Sequence, residues 1–103
     1  MYNKLVRDNI PEIIKSNGEV PITRILDNDE YKIELERKLL EEYNEVLKSS
    51  GDDRIEELAD MLEVMISIAE LENKSLEDII NVCEEKRKKR GGFKKKLYLE
   101  KVE

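Results

Sequence analysis

The sequence predicts an all-α protein, an antiparallel bundle of about four helices in one domain spanning 1–103. Three observations predict it. Apolar residues recur at helical spacing through long stretches of the chain. Clusters of turn formers and caps, at Asp27-Asn28-Asp29, Ser49-Ser50-Gly51-Asp52-Asp53 and Asn73-Lys74-Ser75, cut that pattern into helix-sized pieces. Two acidic pairs lie at equal distances either side of Gly51, which suits two helices folded back on each other.

In chain order, residues 1–7 read as extended, and Asp8 caps a short helix running to about Asn17. Pro11 is tolerated in its first turn, and Gly18 supplies the stop. From Glu19 to Leu26 the β-branched Val20, Ile22, Thr23 and Ile25 suggest a strand, which Pro21 confines to an edge. A long helix follows to about Lys48. Its apolar residues Leu35, Leu39, Leu40, Tyr43, Val46 and Leu47 fall in a stripe about 140° wide at roughly 100° per residue.

The next helix, from about Asp53 to Asn73, is the most apolar element. After Met61 its apolar residues cover more than one face, as expected of a central helix touched on several sides. Met61 and Met65 are expected to pack a core. Ser75, with Asp78 three residues on, reads as the capping box of a last helix carrying Leu76, Ile79, Ile80, Val82 and Cys83 and ending at Gly91-Gly92. The tail from Phe93 to Glu103 has a β-like stretch at Leu97–Leu99. A small two-stranded sheet is expected from its pairing with residues 20–26.

The composition narrows what such a bundle can be. Only 39% of residues are hydrophobic and 5% aromatic, so an isolated monomer would be thinly packed and a helical homo-oligomer is expected. No run approaches the roughly 18–20 apolar residues of a membrane span and no signal-peptide pattern opens the chain, so a cytoplasmic protein is expected. The single Cys83 has no partner in the chain and is expected to be a small core residue in a reducing compartment. The absence of His removes the usual triads and His-ligated metals. Net charge is −6, yet Lys86 to Lys96 holds eight Lys or Arg and no acid. That asymmetry suits a metal beside a polyanionic small ligand better than it suits nucleic acid, whose binders are basic across a face.

The chemistry-bearing residues lie either side of Gly51. On a helix, residues three apart are neighbours, so Glu42 pairs with Glu45 and Glu57 with Asp60. Glu45 and Glu57 each lie six residues from Gly51, and Glu42 and Asp60 each lie nine. At about 1.5 Å per residue the pairs sit roughly 9 and 13 Å from the turn, within reach of one another across packed helices. Four carboxylates at one point are tolerable at neutral pH only with a cation, and an all-oxygen set points to Mg²⁺ or Mn²⁺. The alternative is a set of solvated faces and intrahelical partners, which a chain with 43% charged residues produces readily. Glu41 is expected to face solvent, and Glu63 is a further candidate ligand or acceptor.

The combination Glu41-Glu42-x-x-Glu45 and Glu56-Glu57-x-x-Asp60 resembles the all-α nucleoside triphosphate pyrophosphohydrolases, the superfamily of MazG, the dimeric dUTPases and phosphoribosyl-ATP pyrophosphohydrolase. The opening Tyr2-Asn3-Lys4-Leu5-Val6-Arg7-Asp8-Asn9-Ile10-Pro11-Glu12 and Arg90-Gly91-Gly92-Phe93 are similar to a small MazG-like house-cleaning group, with Asn9 where that group usually carries Lys. The resemblance implies Mg²⁺-dependent hydrolysis of a nucleoside triphosphate to the monophosphate and pyrophosphate by a homodimer or homotetramer. It implies that Glu42, Glu45, Glu57 and Asp60 hold the metal and carry the catalysis. It implies also that Lys86, Lys89, Arg90, Lys4 and Arg7 contact phosphate. Without the resemblance, Lys4 and Arg7 read as surface charge, and the basic run reads as a helix end favoured by the helix dipole. Two further readings stay open: phosphoribosyl-ATP pyrophosphohydrolase itself, and a non-catalytic helical oligomer that binds a partner or nucleotide.

Overall fold

The computed structural model describes residues 3–103, which form four helices: α1 (Ile10–Ser16), α2 (Asn28–Lys48), α3 (Gly51–Leu71) and α4 (Leu76–Arg90). The expected extended start falls partly on residues 1 and 2, outside the described residues; residues 3–7 carry neither helix nor strand. The first helix starts later than expected. Asn9, not Asp8, is its N-cap, and no side chain accepts a capping hydrogen bond there.

The two long helices begin at well-made or tightly turned caps. Asp27 accepts from the Glu30 backbone N–H while the Glu30 side chain accepts from the Asp27 N–H, closing a capping box. Arg24 then grips both Glu30 carboxylate oxygens at 3.1 and 2.8 Å. That fork draws the Glu30 carboxyl down to about 2. After Lys48 the chain reverses within Ser49 and Ser50, and α3 opens on Gly51 at φ +58°, a left-handed conformation that glycine adopts without a Cβ penalty. The reversal lays α3 antiparallel along α2, two residues ahead of the expected boundaries at each end. A second capping box, Ser75 with Asp78, starts α4 as expected. Gly91 at φ +83° ends it.

Packing is confined to few surfaces. The α2–α3 hairpin is the body of the molecule, α4 touches α3 alone, and α1 packs on no other helix. Among the described residues only Leu35 and Val64 are buried hydrophobics, and Glu42 is buried beside them. The broad apolar stripe expected on α2 is divided. Leu35, Leu39 and Val46 turn toward α3, while Leu40, Tyr43 and Leu47 stay exposed. The radius of gyration is 17.9 Å, against about 13 Å for a compact chain of this length.

Further expectations are corrected. Among the described residues there is no strand, so residues 20–26 and the tail do not form a sheet. Two short strands need an apolar face to bury. Here Ile22 and Ile25 are 97% and 98% exposed, with nothing of this chain over them. Cys83, expected in a core, is exposed because α4 is covered on only one side. Met65 is likewise partly exposed, whereas Met61 is half-buried.

Candidate metal centre

The hairpin brings three of the four expected carboxylates together. One oxygen from each of Glu42, Glu57 and Asp60 lies within 4.8 Å of the others. Glu42 comes from the middle of α2, Glu57 and Asp60 from successive turns of α3, and the equal depths about Gly51 set them level. Glu42 is 8% exposed and the other two are half-buried. Glu45 is exposed and outside the trio. Its position toward the margin of the helix face takes it away from α3, although its charge still acts on Glu57.

Electrostatics follow from the crowding. Burial pushes the Glu42 carboxyl above its ordinary value, Lys38 pulls it back, and Asp60, Glu41 and Glu57 push it up again. Glu57 is raised too, by loss of hydration first and then by Asp60 and Glu45. Both groups are easier to protonate than free carboxylates because each meets like charge with too little water to screen it.

Two cations of the chain already lean on the cluster. Arg7 donates from Nη2 to Oδ1 of Asp60 at 2.8 Å, and Lys38 Nζ lies 3.7 Å from Glu42 Oε1 and 3.4 Å from Glu41 Oε2. Arg7 was a candidate for phosphate contact, and its recorded partner is a carboxylate of the trio. Lys38 did not figure in the sequence reading. Its spacing of four from Glu42, the ordinary helical ion-pair spacing, is the signal that marks it. Glu41 and Glu63 are both exposed and outside the trio.

The expected phosphate-binding residues of α4 are not gathered to the carboxylates within one chain. Lys86 shares a groove with Ala69 and Glu72 at the far end of α3. Arg90 lines a separate basic concavity with Arg87, Phe93 and Lys95. Neither includes a member of the trio. Lys89 is exposed, and Lys4, near the chain start, is exposed as well.

The donor set fits a hard divalent ion. Oxygens bound octahedrally at about 2.0–2.1 Å from Mg²⁺ lie roughly 2.9 to 4.2 Å apart, so the observed trio needs only small side-chain shifts to close on one ion. Among the described residues no helix is long and apolar enough to cross a membrane.

Comparison with known proteins adds a relative but no function. No family model matches the chain, and no solved structure matches it. An uncharacterized protein of Mycolicibacterium smegmatis is 49% identical over 50 residues, which make up 48% of this chain and 51% of that protein. The likeness therefore spans about half the length of the relative it matches.

Proposed function

We propose that this chain is a MazG-like, Mg²⁺- or Mn²⁺-dependent nucleoside triphosphate pyrophosphohydrolase, releasing a nucleoside monophosphate and pyrophosphate and clearing modified or surplus nucleotides. The observation that carries the reading is the convergence of Glu42, Glu57 and Asp60 from two helices onto one small volume. Clustered carboxylates whose protonation is made easier by crowding are a poor arrangement for a bare protein and a good one for a cation. When bound, the ion supplies positive charge against the phosphate oxygens and Lewis acidity toward water.

The residues divide the remaining work. Glu42, Glu57 and Asp60 hold the ion. Glu45, free of the trio but next to it, accepts the proton of the water that attacks the α–β anhydride; the phosphorus–oxygen bond to the pyrophosphate breaks as the new bond forms. Lys86, Lys89, Arg90, Lys4 and Arg7 neutralise phosphate charge. The protein works as a homodimer or homotetramer in the cytoplasm, where Cys83 remains a thiol.

A second reading has its own observation. Arg7 and Lys38 already lean on Asp60 and Glu42, as they would in a non-catalytic helical oligomer whose carboxylates serve structural ion pairs. One experiment separates the two. A panel of ordinary and modified nucleoside triphosphates, with phosphoribosyl-ATP included, is incubated with the protein and Mg²⁺ or Mn²⁺ while pyrophosphate is measured. Release that chelation abolishes supports the enzyme; silence across the panel together with no Mn²⁺ binding favours the scaffold.

A further inference from the structure

The segment after α4 carries a dense basic surface that nothing in this chain covers. Every residue from Asn81 to Glu103 is exposed. Residues 86–96 hold eight Lys or Arg, and none of these is paired with an acid among the described residues. Cations crowded in this way repel one another, so a polyanion brought to them is favoured.

The backbone gathers the charges. Past Gly91 the chain makes a turn in which the Lys96 backbone N–H donates to the Phe93 carbonyl at 3.1 Å, with Lys94 and Lys95 at its tip. Arg87 and Arg90 of α4 and the turn's Phe93 to Leu97 line one open concavity of about 900 Å³. Apolar side chains are set among the cations. Phe93 is 98% exposed, Leu97 85% and Leu99 79%.

That mixture decides the partner. A polynucleotide would use the cations and stack bases on aromatic rings, but it has no use for Leu97 and Leu99. It would also run as a long anion past α2 and α3, which together carry fourteen acids against five bases. An acidic peptide would likewise answer the charge and leave the aliphatic side chains in water. An anionic bilayer takes both. Its headgroups attract Lys and Arg within roughly a Debye length, and its acyl boundary accepts Phe and Leu. It touches only one part of the molecule, and the acidic hairpin is repelled from it.

We propose that Phe93–Leu97 is a membrane-surface contact, in which Lys94, Lys95 and Lys96 bind the headgroups of an anionic bilayer while Phe93 and Leu97 enter its interface. The contact lies on the surface and crosses nothing. It goes beyond the proposed activity, which gives these five residues no role, so the two stand or fall separately.

Flotation of the 103-residue chain with lipid vesicles tests it. At about 0.1 M salt the wild type should float with vesicles of equal parts phosphatidylglycerol and phosphatidylcholine and stay behind with pure phosphatidylcholine. K94Q/K95Q/K96Q should lose on the order of 10²-fold in vesicle affinity, about fivefold for each lysine. F93S/L97S keeps every charge and should still lose about tenfold. Circular dichroism should be the same for all three, since neither variant touches a helix. A wild type left behind by the anionic vesicles, or F93S/L97S floating as well as wild type, would overturn the inference. So would release of the wild type from the vesicles by polyglutamate or a single-stranded oligonucleotide matched to the lipid in charge.

Discussion

Arg7 and Asp60, 53 positions apart in sequence, are joined by a 2.8 Å hydrogen bond from guanidinium to carboxylate. The segment before α1 is thereby pinned to the middle of α3, on the side where Glu42 and Glu57 also open. The bond occupies one of the two carboxylate oxygens of a residue in the trio, so the arginine is a resident cation beside the cluster.

Replacing Arg7 by Gln should free Asp60 for metal. The pair is exposed and worth at most about 1 kcal/mol, so urea unfolding should move by less than that. Mn²⁺ affinity of the substrate-free protein, followed by calorimetry, should rise by up to about fivefold. A fall in affinity would show that Arg7 helps to build the site.

Glu42→Gln and Asp60→Asn remove ligands while keeping shape. Each should cost several kcal/mol of charge stabilisation, on the order of 10²-fold or more in metal-dependent pyrophosphate release. Circular dichroism should be unchanged. Turnover within a few-fold of wild type in either variant would remove the trio from the chemistry.

Acidity should favour the metal-free fold at this site. Glu42 and Glu57 are raised above 4.5 in the folded protein. Between the unfolded and folded values the native state binds more protons, so stability falls as pH rises through that window. Compared with E42Q/E57Q, the wild type should gain denaturant midpoint as pH is lowered from neutral through this range. The gain should disappear in saturating Mn²⁺, which requires the ionised form.

Glu30 has the opposite sign. Held near 2 by Arg24 and the capping box, it stabilises the fold above its unfolded value of about 4.5 and loses that contribution as pH falls toward 2. Arg24→Ala should lower the denaturant midpoint at pH 7, and the gap from wild type should close as pH falls toward 2, with helicity followed at 222 nm. Identical acid transitions for the two proteins would contradict this.

Glu45 separates ligand from base. Glu45→Gln should bind Mn²⁺ within a few-fold of wild type, since its carboxylate is outside the trio, yet lose on the order of 10²-fold in turnover if it takes the proton. Equal losses of both would make it a ligand after all.

The helices and most of their caps were legible because their causes are local. Asp27 with Glu30, Ser75 with Asp78 and the glycine after Ser50 act within a few residues of themselves. Glu42, Glu57 and Asp60 were legible through their symmetry about one turn. Glu45 was not separable from them by spacing, because its place depends on how far α2 is rotated on α3. The strand expected around Ile22 followed from β-branched composition, which does not say whether a surface exists to bury it. The attachment of Arg7 to Asp60 belongs to tertiary structure, and no sequence period encodes it.

The segregation of charge along the chain has a practical result. Residues 86–96 carry +8 within a protein of net −6, and none of those cations is tied to an acid among the described residues. Each molecule is thus a macroscopic electric dipole, strongly negative over its hairpin and strongly positive toward its tail. At low ionic strength it should adhere to cation-exchange resin at neutral pH despite an isoelectric point near 4.9, as well as to anion exchanger, and about 0.3 M salt should release it from both as the screening length shortens.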